Sequence, residues 1–265
     1  MIQTKDSQGQ TTVWSAGLNG QIVGWDPVTL TAKKELQVKL DQRNGKTLYS
    51  IAEVGDTFWC ATRFNVVVIN YNGDDNEAKT LTPKEGEQMS VDTMCAVSEK
   101  EVWTGCDKKG LVVIWSTKTY KNKHHTVCEC NGFTCMLKVD DRVWAGSKNG
   151  NIYVIGVKQF KVIMELSLHQ DRVRSMCLTD EGFVVSGPGS RDGRIAVWKS
   201  HLFEECSNVQ HSSHERSKFP QQIMEEISTC GEEGGFALVC KKKTVKVDVD
   251  CNKIRDKPSR PTNKR

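Results

Sequence analysis

Val143-Trp144-Ala145-Gly146-Ser147-Lys148-Asn149-Gly150-Asn151-Ile152-Tyr153-Val154-Ile155 reads as two apolar runs joined by a turn. Asn149-Gly150 signals a tight hairpin, because the central positions of such a turn take positive φ, which Asn and Gly adopt at least cost. The first half of the stretch recurs as Val13-Trp14-Ser15-Ala16-Gly17, Phe58-Trp59-Cys60-Ala61-Thr62, Val102-Trp103-Thr104-Gly105-Cys106 and Val184-Val185-Ser186-Gly187-Pro188. The second positions fall at 14, 59, 103, 144 and 185, separated by 45, 44, 41 and 41 residues. Self-similarity at that period marks a repeat architecture.

Each unit carries its second apolar run after a turn: Gln21-Ile22-Val23-Gly24-Trp25, Val66-Val67-Val68-Ile69, Leu111-Val112-Val113-Ile114-Trp115 and Arg194-Ile195-Ala196-Val197-Trp198 match Asn151-Ile152-Tyr153-Val154-Ile155. Shorter strand-like stretches precede the hairpins, as in Phe133-Thr134-Cys135-Met136-Leu137-Lys138-Val139, and others follow, as in Lys161-Val162-Ile163-Met164-Glu165-Leu166. About four antiparallel strands per repeat make the blade of an all-β propeller. A weaker sixth unit is expected from 223–227, 235–240 and 244–249, after a Ser-, His- and Gln-rich loop at 207–221. The expected organisation is an N-terminal extension at 1–11, a propeller over 12–250 and a basic flexible tail at 251–265. About six blades are recognisable, so the ring either closes unusually or is an incomplete part of a larger, seven-bladed one.

Trp14, Trp59, Trp103 and Trp144 alternate with small residues and are expected between blades, as core rather than as ligand stackers. Hydrophobic residues at 37% and charged residues at 26% argue against a generally disordered chain. No apolar run approaches the roughly 18 residues of a membrane span, and the first residues lack the apolar core of a secretory signal. A soluble, cytoplasmic setting is therefore expected. The eleven cysteines are an odd number, which points to buried thiols rather than a disulfide framework.

The repeats resemble those of WD40 β-propellers. His169, Ser186, Asp192 and Trp198 of the fifth unit look like that family's structural hydrogen-bond positions, with two extra residues between Ser186 and Asp192. Ser15, Asn19, Trp25 and Asp26 resemble the pattern in the first unit, and Thr104, Asp107 or Lys108, and Trp115 follow it imperfectly in the third. The second unit has lost most of it. The Val-Trp-Ala/Ser/Thr-Gly wording is also similar to divergent C-terminal propellers of DENN-domain Rab exchange factors and Roco-type kinases. The resemblance implies a non-catalytic protein-interaction scaffold in signalling or membrane traffic, or else the regulatory propeller of such an exchange factor or kinase.

Arg63, Lys108, Lys148 and Arg191 stand four to six residues after the aligned second positions, at the hairpin turns. Successive blades would bring these charges around one rim, able to hold an acidic or phosphorylated peptide or an anionic headgroup. The other reading is that lysine and arginine are simply common at solvated hairpin tips. Residues 241–265 hold ten Lys/Arg and three Asp, a net of +7 against +4 for the whole chain, which leaves −3 for 1–240. A weak anionic-membrane contact of the tail follows from charge alone, while the near-neutral body argues against nucleic acid.

His124, His125, Cys128, Cys130 and Cys135 are zinc-type ligands within twelve residues, but no Cys-x2-Cys pair is present, so no metal and no cofactor is expected. Phosphate-loop, nucleophile-elbow and His-Glu-x-x-His motifs are absent from the sequence, and no catalytic residue is assigned. His169 with Asp171, Asp180 and Asp192 is the one grouping that could support hydrolysis.

Overall fold

The computed structural model describes residues 1–6, 8–40, 47–72, 78–83, 90–200 and the paired strand 237–238. These residues form five four-stranded sheets in chain order. Blade 1 comprises β1 (Ile2–Lys5), β2 (Thr11–Ala16), β3 (Gln21–Trp25) and β4 (Ala32–Gln37). Blade 2 comprises β5 (Ser50–Val54), β6 (Thr57–Ala61), β7 (Val66–Asn70) and β8 (Lys79–Leu81). Blade 3 holds β9 (Val91–Ser98), β10 (Glu101–Cys106), β11 (Leu111–Ser116) and β12 (Asn122–Val127). Blade 4 holds β13 (Phe133–Val139), β14 (Arg142–Ser147), β15 (Asn151–Gly156) and β16 (Lys161–Ser167). Blade 5 holds β17 (Val173–Leu178), β18 (Phe183–Pro188), β19 (Ala196–Lys199) and β20 (Ala237–Leu238).

The first strand of each blade faces the centre, where β5 packs on β9, β9 on β13 and β13 on β17. Within a blade the strands run up and down, so side chains alternate between the neighbour on one side and the neighbour on the other. Both faces are covered, and the strands read as nearly continuous apolar runs, as in the fully buried Val66, Val67, Val68 and Ile69. Trp14, Trp59, Trp103 and Trp144 are 4%, 0%, 0% and 0% exposed and are core, as their periodicity indicates. Trp59 packs with Val102, Val113 and Trp115 of the next blade, and Trp103 belongs with Val143, Tyr153 and Ile155 of blade 4.

The blade count is a correction. Five blades, not about six, are built by the described residues, and the loop at 207–221 and the tail at 251–265 lie outside them. The expected sixth unit also lies outside them, apart from Ala237–Leu238. That pair runs parallel to β19, with Ala196 opposite Ala237 and Val197 opposite Leu238. The free edge of β19 offers unpaired N–H and C=O groups, which a returning strand satisfies. At the other end, Ile2–Lys5 pairs in register with Thr11–Trp14, so the first sheet begins inside the 1–11 stretch expected to precede it. Among the described residues no helix is long and apolar enough to cross a membrane.

Two hairpin tips show how the blades are closed. Gly110 and Gly150 have φ of +56° and +90°, and a Cβ there would lie 2.1 Å from the Cys128 carbonyl oxygen and 2.2 Å from that of His169. Each tip is thus pressed against the chain leaving the outer strand of its own blade, and in blade 3 Cys128 N–H donates to Gly110 O at 2.9 Å. Only glycine meets both the conformation and the space. Gly150→Ala should therefore destabilise the fold by about 2–4 kcal/mol. Gly187→Ala, whose Cβ would meet nothing within 4 Å, should stay within about 0.5 kcal/mol of the parent; denaturant unfolding of both variants checks the contrast.

Candidate interaction face

The resemblance assigned four structural residues to the fifth repeat, and the fold brings them together. Ser186 Oγ accepts the indole N–H of Trp198 at 2.8 Å and lies 2.8 Å from His169 Nε2. With the indole donating, the serine O–H is free to donate to Nε2. That places the ring proton on Nδ1, which faces Asp192 Oδ2 at 3.4 Å. Asp192 accepts the backbone N–H of Gln170 at 2.8 Å, tying the connector between blades 4 and 5 to the hairpin tip. Arg194 adds a clamp that the sequence pattern does not contain: its Nε donates to Asp192 Oδ1 at 2.9 Å, and one terminal nitrogen reaches the Leu168 carbonyl at 3.1 Å.

Serine, histidine and aspartate in this order resemble a nucleophilic triad, but the surroundings oppose that chemistry. Ser186 is 0% exposed, and His169 and Asp192 are each 6% exposed. The indole of Trp198 already occupies the serine oxygen, so no substrate carbonyl can approach it. Desolvation keeps the imidazole of His169 below its ordinary pKa, although Asp192 pulls the other way. Burial also pushes the Asp192 carboxyl up, yet hydrogen bonds from Arg194 and from the Gln170 N–H prevail and hold it well below the usual carboxylate range. The set is a neutral-histidine strut.

Other blades keep fragments of it. Trp25 Nε1 donates to Ser15 Oγ at 2.8 Å in blade 1, and Trp115 Nε1 to Thr104 Oγ1 at 2.9 Å in blade 3. Asn19 sits at φ +62° in the first hairpin tip, and Asp107 Oδ1 accepts the Ser90 N–H at 3.0 Å in the third. Asp26 caps the turn after β3 by accepting the N–H groups of Val28 and Thr29.

The hairpin tips β6–β7, β10–β11, β14–β15 and β18–β19 lie at the same end of their blades and carry the four basic residues. Arg63 is exposed, with its guanidinium 5.2 Å from the centre of the Phe64 ring. Lys108 and Arg191 are also exposed. Lys148 differs: its ammonium donates to the Asp107 carbonyl at 3.0 Å and pairs with Asp92 at 3.4 Å, bracing blades 3 and 4 against each other. Asp171 accepts the backbone N–H groups of Arg172 and Arg191, so carboxylates stand among the cations of this face.

The five first strands line a central cavity of about 620 Å³, with groups such as Ser50, Asp92, Thr93, Thr134 and Arg174 on its wall. The zinc-type residues are dispersed: His124 and His125 lie on the outer strand β12, whereas Cys135 lies on the inner strand β13 with Sγ 3.4 Å from the Val173 carbonyl. Among the described residues no group of three His, Cys, Asp or Glu side chains could hold a metal. Burial raises the Cys60, Cys95, Cys106, Cys128 and Cys135 thiols to about 12, which makes them unreactive near neutral pH.

No protein-family profile matches the chain. DENN domain-containing protein 3 of Mus musculus is 26% identical over 196 residues, covering 71% of this chain and 15% of that protein. The chain thus spans about one seventh of that relative. Among solved structures, the computationally designed Ika8 protein matches with a TM-score of 0.57 at 20% identity, over 74% of this chain and 57% of that one. A chain of the mitotic checkpoint complex matches at 0.59 and 12%, over 74% and 60%. Sqt1 of Saccharomyces cerevisiae matches at 0.53 and 15%, over 69% and 54%. These likenesses concern fold, and with the five sheets they establish an all-β propeller.

Ser186→Ala leaves the Trp198 and His169 nitrogens without their shared partner and should cost about 2 kcal/mol of stability. Ser15→Ala should cost less, about 0.5–1 kcal/mol, because Ser15 serves one indole where Ser186 serves an indole and a buried imidazole. The strut also predicts a pH dependence. A lowered His169 pKa contributes stability above the unfolded value of about 6.5 and loses it as pH falls below that; Asp192 contributes above about 3.9 and is lost only in stronger acid. Unfolding free energy should therefore decline from about pH 7.5 to about pH 5.5, and His169→Gln should flatten that slope in pH-resolved denaturant titrations.

Proposed function

We propose that this chain is a non-catalytic docking module of the WD40 type, acting in cytoplasmic signalling or membrane traffic. It takes an acidic or phosphorylated peptide of a partner protein on its hairpin-tip face. The observation that carries this reading is the exposure of Arg63, Lys108 and Arg191 on equivalent tips of blades 2, 3 and 5. Guanidinium forks suit carboxylate and phosphate, and several exposed charges sum where one alone contributes about 0.2–1 kcal/mol. Lys148 belongs to the frame of the face, since Asp92 and Asp107 engage its ammonium. Contact with an anionic membrane surface is a secondary effect of the basic stretch 241–265.

The match to DENN domain-containing protein 3 favours a second reading, the regulatory propeller of a DENN-domain Rab exchange factor that contacts another domain of its parent chain. The kinase counterpart has no such support. The two readings differ in the partner, separate protein or same polypeptide, and share the face.

Proximity labelling in cells, comparing the native chain with Arg63→Gln/Lys108→Gln/Arg191→Gln, tests the proposal. Discrete neighbours should lose about tenfold of their labelling, equivalent to about 1.4 kcal/mol, with unfolding unchanged. Neighbours that persist at full intensity sink the charged-face reading.

A further inference from the structure

In blades 1, 3 and 4 the turns between third and fourth strands share one geometry. In blade 1 Leu30 N–H bonds Asp26 O at 2.9 Å, in blade 3 Tyr120 N–H bonds Ser116 O at 2.8 Å, and in blade 4 Phe160 N–H bonds Gly156 O at 2.9 Å. The closing residue takes positive φ in all three, at 57°, 57° and 53°. A bulky side chain resists that conformation, so something must offset it. In blade 3 the Tyr120 ring stacks on Trp59 of blade 2 at 5.8 Å, under the Lys79 ammonium 4.0 Å away. In blade 4 Phe160 packs against Trp103 and His124 of blade 3 at 5.9 and 4.8 Å. The turn is a device that hands one apolar side chain to the preceding blade.

Blade 1 has the device and, among the described residues, no recipient. Leu30 is 77% exposed among the described residues. The same face carries Val13, Val23 and Trp25, whose register equivalents in blade 2, Phe58, Val67 and Ile69, are 0%, 1% and 2% exposed. Trp25 is 37% exposed, whereas its blade 3 equivalent Trp115 is 2% exposed. Across the opening, blade 5 leaves Ile195 39% exposed, and β17 makes no contact with β1 comparable to that between its other neighbours. The apolar face of blade 1 is therefore built like the covered faces of blades 2 to 4, with strain at Leu30 that nothing among the described residues offsets.

We propose that this face, centred on Leu30 and Trp25, is a docking surface for residues 201–265 of the same chain. The chain leaves the described blades at Ser200, at the end of β19 and on the other wall of the opening, and Ala237–Leu238 returns to that wall. Sixty-five residues follow Ser200, with apolar alternation at 236–249. A random-coil polymer of sixty-five residues has a mean reach of about 45 Å, against about 15–20 Å for the width of a four-stranded sheet. Tethering supplies an effective concentration in the millimolar range, which a second copy or a separate protein must match in solution.

The test places a photo-crosslinker at the centre of the face in the whole chain, Leu30→p-benzoylphenylalanine, and maps the products by mass spectrometry. Within-chain crosslinks to peptides from 201–265, on a protein that stays monomeric by light scattering, are expected. Crosslinks joining two copies assign the face to self-association and overturn the proposal, as do crosslinks confined to residues 1–200. A second measurement needs no crosslinker: Leu30→Asp should lower the melting temperature of the whole chain by about 4 °C or more, whereas Val28→Asp, in the same turn and 88% exposed, should not. Equal, negligible effects of both substitutions would show the face to be open to water.

Discussion

A four-stranded blade cannot stand alone, because its strands are apolar on both faces and one sheet can bury neither. Everything else in this molecule depends on how that constraint is met. Trp59 reaches into blade 3 and Trp103 into blade 4, and the β-branched residues around them fill the remaining space. Stability is then shared between neighbours, as in other repeat proteins, and is weakest where a neighbour is missing. Among the described residues blade 1 is such a place, with the half-exposed Val13 and Val23 standing where blades 2 to 4 are dry.

The same constraint separates the parts that hold the fold from those free to bind. Ser186, His169 and Asp192 sit deep at the junction of blades 4 and 5, where hydrogen bonds hold Ser186, Nε2 of His169 and the Asp192 carboxylate, which also faces the second ring nitrogen at 3.4 Å. A buried strut of this kind cannot also be a reactive centre. The tips are packed through their glycines and Asp192, while the side chains of Arg63, Lys108 and Arg191 project from them into water. Lys148 marks the boundary between the two regimes: a tip residue by sequence, it spans to Asp92 and Asp107 and works as a brace.

Much of this was legible from the residues. The spacing of the Val-Trp pattern located the hairpins, and the alternation around Trp59, Trp103 and Trp144 identified the core. His169, Ser186, Asp192 and Trp198 were singled out through the family likeness, and the structure places Ser186 within 2.8 Å of both the imidazole and the indole. Ring size was not legible, because blade identity survives in local alternation whereas the number of blades is set by how sheets pack at a distance. Arg194 escaped for a related reason: its clamp on Asp192 depends on a backbone path that places Leu168 O within reach. Tyr120 and Phe160 carried a signal, their 40-residue spacing, but nothing in the sequence said that a bulky residue there would sit at positive φ.

The amino-acid sequence by itself determined the repeat, the strand order within each blade and the residues that fill the spaces between blades. Those follow from periodicity and turn chemistry, which act over a few residues. The tertiary structure decided which charges are free and which are spent on bracing, which faces are covered, and which serine lies beyond the reach of any substrate. Such outcomes rest on contacts between residues tens of positions apart, such as Thr134 with Val173 or Lys148 with Asp107. Local pattern carries no term for them, and only packing around a common axis brings them together.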